Sequence, residues 1–325
     1  MESVTRLELG RNPIKTGWEH LSSLKCLRVL ILFHCRITEL PAALASVESV
    51  TSLDLGSNHI ESGWESLHQL RGLRELDLRF CGLTEVPAAL TGMTSLPRLD
   101  LTWNPVKTGW EHLSSLKCLR ELILFGCGIT ELPAALTSVE SMTRLDLGGN
   151  SIKRGWERLR SLRQLRELDL LNSGITEVLE ALGDMESLTR LVLSCNPIER
   201  GWERLRPELR ELDLRDCGLT EVPAVVESMT SLNLSGNHIE SGWERLHLMR
   251  QLEELNLSGC RITELPAAVA GLESVTHMDL SSNPVEGGWE HLRPLPRLQE
   301  LKAAVDKRNM PEALKALKQL TIVHA

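Results

Sequence analysis

The chain contains very few aromatic residues for its length. Among 325 residues there is no tyrosine, and there are three phenylalanines and eight tryptophans. A hydrophobic core built without aromatic side chains must be filled by leucine, valine, isoleucine and alanine. We therefore expect an aliphatic core, in which the place of each aromatic residue becomes informative.

The sequence also lacks long apolar runs and an excess of positive charge. Charged residues interrupt every apolar run well short of the roughly 18 residues of a transmembrane helix, and MESVTRLELG has no basic region followed by an apolar stretch. The formal net charge is -8 and the isoelectric point is near 5.8, which argues against nucleic acid or an anionic membrane as the main partner. These absences predict a cytoplasmic protein.

Motifs that carry catalysis are missing as well. The sequence has no phosphate-binding glycine loop, no H-E-x-x-H and no C-x-x-C. No serine, histidine and acidic residue come together in a pattern that an extended surface could hold as a site. We therefore predict no enzymatic activity, no cofactor, no metal and no small-molecule substrate.

Repetition is what the sequence has in abundance. A strand-like segment recurs every 23 residues along most of the chain, and its last position alternates between asparagine and cysteine, beginning with Asn12, Cys35, Asn58 and Cys81. Self-similarity at a fixed period predicts a solenoid of stacked repeats. We predict an array of about 14 repeats over residues 1–306 and a partial cap over residues 307–325, made of a short helix that Pro311 begins and a final edge strand of Leu320 to Val323.

The repeats are of two types that differ after the strand. Cysteine repeats continue as ITELPAAL or LTEVPAAL, where proline begins a short helix. Asparagine repeats continue as GWExL, for example at Gly63-Trp64, and we expect the indole to fill the space that the glycine leaves empty. The cysteines recur two repeats apart, about 10 Å along a sheet, which is too far for disulfides, so we predict free, buried thiols.

The pattern L-x-x-L-x-L-x-x-N/C-x-L resembles the leucine-rich repeat signature over essentially the whole chain. The alternation of asparagine and cysteine repeats is similar to the ribonuclease-inhibitor branch, although 23-residue repeats leave room for only a short outer helix or 3-10 turn. The resemblance implies an α/β fold, a right-handed horseshoe solenoid with a concave parallel β-sheet. It also implies recognition of a protein through the concave face.

Three columns of side chains are expected to face outward from this sheet. With the leucines at the first, fourth and sixth positions directed inward, the third, fifth and seventh positions face solvent. The fifth-position column is rich in aspartate and includes four predicted partner-binding residues, Asp77, Asp100, Asp146 and Asp169. A basic or arginine-rich protein would fit this face. The alternative is that consensus solvation alone keeps these positions polar.

Four aromatic residues lie outside the GW motif, and all fall at the seventh or eighth strand position. They are Phe33, Phe80, Trp103 and Phe125. Exposed aromatic side chains in polar surroundings are typical of binding hot spots, so we predict that these four contact the partner. The alternative is that they tuck into the turn after the strand.

We therefore predict a protein-protein interaction scaffold that binds one protein partner on its concave face. An alternative is the recognition array of a larger immune-receptor-like or effector protein whose active domain lies elsewhere. The first repeat begins within five residues of the initiator methionine without a polar cap, which favours the alternative.

Overall fold

Each repeat contributes one short β-strand, and the repeats form two compact units, Met1–Leu168 and Asp169–Ala325. The computed structural model describes residues 3–224, 227–305, 311–315 and 321–324. In this part of the chain no helix is both long and apolar enough to cross a membrane.

In the amino-terminal unit the strands are parallel and neighbours in chain order. They are β1 (Arg6–Glu8), β2 (Val29–Ile31), β3 (Ser52–Asp54), β4 (Glu75–Asp77), β5 (Arg98–Asp100), β6 (Glu121–Ile123), β7 (Arg144–Asp146) and, at the division between the units, β8 (Glu167–Asp169). The outer segments are 3-10 helices at Trp18–Ser23, Ala42–Ser46, Trp64–Gln69, Ala88–Leu90, Trp110–Ser115, Ala134–Ser138 and Trp156–Ser161.

The carboxy-terminal unit repeats this arrangement. Its parallel strands are β9 (Arg190–Val192), β10 (Glu211–Asp213), β11 (Ser231–Asn233), β12 (Glu254–Asn256), β13 (His277–Asp279), β14 (Glu300–Ala303) and β15 (Thr321–His324). Its 3-10 helices are Glu180–Asp184, Trp202–Arg204, Trp243–Leu248, Ala267–Gly271 and Trp289–Leu292, and a short α-helix, α1, spans Glu312–Lys315. The predicted parallel sheet with short 3-10 outer segments is confirmed.

Aliphatic side chains fill the core, as the shortage of aromatic residues predicts. In the β4 repeat Leu73, Leu76 and Leu78 occupy the first, fourth and sixth positions, and all three are fully buried. Burying one leucine side chain stabilises a fold by about 2 kcal/mol. The leucines of each repeat thus pack against the neighbouring repeats, and the residues that can bind a partner are those on the surface.

The asparagine at the end of the strand segment links two repeats through buried hydrogen bonds. Asn58 Oδ1 accepts from the amides of Cys35 (2.9 Å) and Ile37 (3.0 Å), while Nδ2 donates to the carbonyls of Leu32 (2.8 Å) and Leu55 (2.7 Å). In the cysteine repeats the thiol at this position donates a hydrogen bond to a backbone carbonyl. The Sγ atom of Cys81, for example, donates to Leu55 O at 3.3 Å.

The thiols remain free, as predicted. Cys35, Cys81, Cys127, Cys217 and Cys260 are buried, and no cysteine is in a disulfide within the described residues. Burial raises the pKa of Cys81 to about 12, and that of Cys127 to about 11. These side chains are therefore packing residues and not nucleophiles.

The glycine of the GW motif is required for a different reason from the one that the sequence suggested. Gly63 has φ of 82° just before the helix Trp64–Gln69, and a Cβ built on it would collide with the carbonyl oxygen of Leu40 and lie 2.7 Å from Leu40 N. Backbone conformation and close approach of the previous repeat thus require glycine. Trp64 is only half-buried, and Trp289 is the one GW tryptophan that is buried in the described chain.

The carboxy-terminal segment contains the elements from which we predicted a cap. Helix α1 follows Pro311, Leu314 is buried, and β15 pairs with β14. Leu320, at which the predicted edge strand begins, lies outside the described residues. The division into an array and a cap stays a prediction.

Candidate protein-binding surface

The exposed face of the sheet carries the predicted columns of polar side chains. In β4, Leu76 is buried whereas Glu75 is exposed and Asp77 is half-buried, and the same alternation recurs in most strands. Strand β5 is an exception, because Asp100 at its fifth position is buried. The exposed face presents the third and fifth positions, as the sequence predicts.

Aspartates at the fifth position stand side by side in the amino-terminal unit. Asp54, Asp77 and Asp100 are in register on β3, β4 and β5, and the isoleucine Ile123 separates them from Asp146 on β7. Burial raises the pKa of the Asp77 carboxyl, the charges of Asp54 and Asp100 raise it further, and hydrogen bonds from Arg79 oppose this rise. The structure therefore brings Asp77 and Asp100 together in a row of like charges.

The same aspartates have a structural role that our reading of the sequence missed. The Oδ1 atoms of Asp77, Asp100 and Asp146 accept the backbone N–H two residues ahead, at 3.0, 2.9 and 2.9 Å. Asn233 and Asn256 make this bond at the same position, at 3.0 and 2.9 Å. Aspartate or asparagine at the fifth position thus serves in part to satisfy a backbone N–H group where the strand ends. The sequence did carry a sign of this role, because asparagine replaces aspartate at some positions of the fifth-position column and its side-chain oxygen can accept the same hydrogen bond.

Asp169 makes the same turn in the carboxy-terminal unit. Its Oδ1 atom accepts from Leu171 N at 2.8 Å, and the side chain is half-buried. It belongs to a different compact unit from the other three predicted aspartates, so we keep it apart from the site described below.

Charges at the third position alternate in sign and pair across strands. In the amino-terminal unit Arg98 pairs with Glu121, and Arg144 reaches both Glu121 (3.6 Å) and Glu167 (3.3 Å). Such partly exposed pairs contribute little to stability individually. They cancel much of the charge in the third-position column. The negative potential then comes mainly from the fifth-position aspartates, of which Asp77 is paired with Arg79.

Three of the four predicted aromatic residues form a contiguous ladder, which we call the aromatic ladder: Phe80, Trp103 and Phe125. The rings of Phe80 and Trp103 are stacked with centroids 6.2 Å apart, and Phe125 meets Trp103 edge-on at 5.7 Å. Phe80 is 52% exposed and Trp103 is 51% exposed, whereas Phe125 is half-buried. The aromatic ladder is thus an exposed apolar patch beside the aspartate row.

Two members of the ladder occupy a backbone position that disfavours them. The eighth position is left-handed in successive repeats, with φ of 55° at both Phe80 and Trp103, and neighbouring repeats place glycine or serine there, as at Gly126, Gly149 and Ser57. Bulky residues with positive φ are rare because the Cβ atom crowds the backbone. Strain of this kind clusters at functional sites, which supports a binding role.

Phe33 does not join the aromatic ladder. It lies after β2 and is half-buried, with its ring centroid 6.1 Å from that of His34. A Cβ built on Gly56 would lie 3.2 Å from Phe33 Cδ2, so the ring covers that glycine. Phe33 therefore fits the alternative of tucking into the turn better than it fits a hot spot.

Apart from Asp169, sequence reasoning assigned no site residue to the sheet face of the carboxy-terminal unit, yet the structure has two adjoining polar concavities there. Their volumes are about 390 and 330 Å³, and both include Ser231, Asn233 and Glu254. The short side chains of β11 create the space. A serine at the third position, Ser231, was the feature of the sequence from which this space could have been predicted. Among the described residues no group of histidine, cysteine and acidic side chains could hold a metal ion.

Comparisons with known proteins point to one repeat family. Residues 251–272 and residues 227–242 each match a leucine-rich repeat sequence model. No curated protein resembles the chain significantly in sequence.

Solved structures share the fold at low sequence identity. A leucine-rich repeat protein of Leptospira interrogans superposes with a TM-score of 0.77 at 23% identity, covering 99% of this chain and 90% of that one. An internalin of Listeria monocytogenes gives a TM-score of 0.60 at 21% identity, covering 94% and 88%. A plant peptide hormone receptor, solved in complex with its peptide, gives 0.62 at 20% identity; this chain is covered fully but spans only 55% of the receptor. By its repeat signature, its two matching segments and its fold, the chain is built of leucine-rich repeats and has the leucine-rich repeat fold.

Proposed function

We propose that the chain is a protein-interaction scaffold and that the exposed sheet face of its amino-terminal unit binds a protein partner. The observation that carries the proposal is the aromatic ladder, in which Phe80 and Trp103 are both about half exposed and stacked on one another. Few large apolar side chains are so exposed in the described chain, and these two are adjacent. Large aromatic side chains at the centre of an interface supply most of the binding energy in typical complexes.

The proposed partner presents basic side chains beside an apolar anchor. Asp54, Asp77 and Asp100 crowd three carboxylates into one row, and their mutual repulsion adds to the raised pKa of Asp77. A lysine or arginine of the partner would relieve that repulsion, and its cation could also stack on the exposed Trp103 ring. We propose the cytoplasm as the location, because the free cysteines of the described chain fit a reducing compartment.

The relatives support protein partners in general, since the plant receptor was solved with a peptide hormone. That receptor also gives weight to the alternative, a recognition array within a larger receptor-like or effector protein, because this chain spans 55% of it. An in-frame nucleotide-binding or catalytic domain beside this reading frame would favour the alternative. In either case the binding surface is the same.

The test compares matched triple variants against a partner recovered by affinity capture. Changing Phe80, Trp103 and Phe125 to alanine should mainly speed dissociation, because packed aromatic anchors control the lifetime of a complex. Changing Asp77, Asp100 and Asp146 to asparagine should slow association and flatten its salt dependence. Asparagine keeps the turn hydrogen bond, as Asn233 shows, so this variant should remain folded.

Surface plasmon resonance at two salt concentrations measures both effects, and Phe33→Ala serves as the aromatic control outside the ladder. Circular dichroism verifies the fold of each variant. Unchanged kinetics in both triple variants, with folding intact, would move the binding site away from this face and end the proposal.

A further inference from the structure

A basic concavity lies at the edge of the amino-terminal unit from which the strands begin. Its volume is about 610 Å³, and four of its lining residues are cationic, Arg71, Arg74, Lys117 and Arg120, with no acidic residue in the lining. This is unexpected in a chain of net charge -8. Whole-chain charge therefore hides a local surface of the opposite sign.

The cations are unpaired and exposed. Among the described residues Arg71, Arg74 and Arg120 make no ion pair and no side-chain hydrogen bond, and Lys117 donates only to the carbonyl oxygen of Ser138 at 3.4 Å. Several arginines elsewhere in this unit are paired, as Arg98 is with Glu121 and Arg79 is with Asp77. Four unneutralised cations around one concavity repel one another, and a bound anion would remove that repulsion.

The floor of the concavity belongs to the one asparagine repeat whose opening tetrapeptide departs from the consensus. Asparagine repeats begin with the tetrapeptide E-S-x-T, as at residues 2–5, 48–51, 140–143, 186–189, 227–230 and 273–276, but residues 94–97 read T-S-L-P. Thr94 thus replaces a glutamate, and Pro97 replaces a threonine. The missing carboxylate would have stood between the two pairs of cations.

The concavity also has a free hydroxyl group at its floor. Ser49 and Ser141 donate to the carbonyls of Leu27 (2.7 Å) and Leu119 (2.8 Å), but the equivalent Ser95 hydroxyl has no partner among the described residues. A free hydroxyl at the floor of a basic concavity is a ready donor for an anionic oxygen. We propose that this concavity is a binding site for an anion that carries two or more phosphate groups.

The spacing of the cations explains why more than one phosphate is needed. Arg71 and Arg74 precede β4, whereas Lys117 and Arg120 precede β6, and β5 lies between these strands. Parallel strands two apart place their backbones about 10 Å from one another. One phosphate can therefore engage one pair at a time, while a compact polyphosphate can bridge both, with the guanidinium groups bonding its oxygens in pairs.

The experiment uses isothermal titration calorimetry of the full chain at physiological salt. The probes are inositol hexakisphosphate, inorganic phosphate, and phosphatidylcholine vesicles with and without a phosphoinositide carrying two ring phosphates. We expect the hexakisphosphate to bind with one-to-one stoichiometry and at least about tenfold more tightly than inorganic phosphate. Saturable binding to phosphoinositide vesicles alone would assign the phosphates to a lipid headgroup at the same site.

Thr94→Glu restores the glutamate that the other asparagine repeats carry, so this variant should fold normally. It should weaken binding by at least about tenfold, because it places a carboxylate among the cations. Thr16→Glu adds the same charge at an exposed position outside the concavity and should leave binding unchanged. Arg74→Gln combined with Arg120→Gln should reproduce the loss. No saturable binding of any probe, or equal weakening by Thr94→Glu and Thr16→Glu, would overturn the proposal.

Discussion

Removing one buried asparagine side chain should cost far more stability than removing the same side chain from the exposed first repeat. Asn104 is fully buried; its Oδ1 atom accepts from Cys81 N (2.9 Å) and Leu83 N (3.0 Å), and its Nδ2 atom donates to Leu78 O and Leu101 O, both at 2.8 Å. Asn104→Ala breaks these four short hydrogen bonds, which dominate the loss, together with a longer fifth bond from Nδ2 to Thr102 O (3.4 Å), and leaves buried groups unsatisfied. At about 1 kcal/mol for each bond, the expected loss is about 4 kcal/mol.

Asn12→Ala is the matched control. Asn12 occupies the same position in the motif but is exposed, and it donates only to Leu9 O (2.9 Å) and Gly10 O (3.1 Å). Water can replace these bonds, so the expected loss is below about 1 kcal/mol. Urea unfolding followed by circular dichroism measures both variants.

Hydrogen exchange adds a local readout, because Asn104→Ala removes the acceptor of the Cys81 and Leu83 amides. Those two amides should lose protection more than the amides of distant repeats, since each repeat contacts mainly its neighbours. Equal losses of stability in the two alanine variants, or unchanged exchange at Cys81 and Leu83, would refute the assignment of the asparagine as the main link between repeats.

Two further predictions concern ionisable groups. Burial raises the pKa of Asp77 above its value in the unfolded chain, so ionisation of this carboxyl destabilises the folded state as the pH rises through both pKa values and has no effect below the unfolded value. In urea melts, the stability of Asp77→Asn relative to the native chain should therefore increase between about pH 3 and pH 7. A relative stability that decreases with rising pH would contradict this. Burial also raises the pKa of Cys81 to about 12, so maleimide at about pH 7.5 should label the exposed Cys26 and Cys118 but not the five buried thiols until urea is added. Peptide mass spectrometry identifies the labelled cysteines, and labelling of Cys81 in the folded chain would contradict its burial.

Sequence periodicity predicted the fold because the same pattern of apolar and polar residues recurs in every repeat. The leucines at alternate positions specify a strand with one buried face, and a constant period places every strand beside the next in register. The cysteines at the ends of alternate strand segments were also predicted correctly as free, buried thiols, because their spacing along the sheet is too large for disulfides. The glycine before each GW tryptophan was explained wrongly, because its positive φ and its contact with the previous repeat are properties of the stacked backbone.

The site was only partly readable from the sequence. The seventh and eighth positions were recognised as exposed candidates, but only the tertiary structure showed that Phe80, Trp103 and Phe125 touch one another while Phe33 lies over Gly56. The aspartate column looked like a charged surface, and the structure added the turn hydrogen bond that each carboxylate makes.

The amino-acid sequence by itself determined the repeat, the parallel sheet, the aliphatic core and the two kinds of polar link between repeats, because these depend on contacts at a fixed separation of one period. The tertiary structure decided which surface side chains become neighbours. The basic concavity shows the reason: Arg71, Arg74, Lys117 and Arg120 are scattered over 50 positions of an acidic chain, and stacking brings them to one place. Charge and exposure at a site depend on distance in space, which composition and net charge do not record.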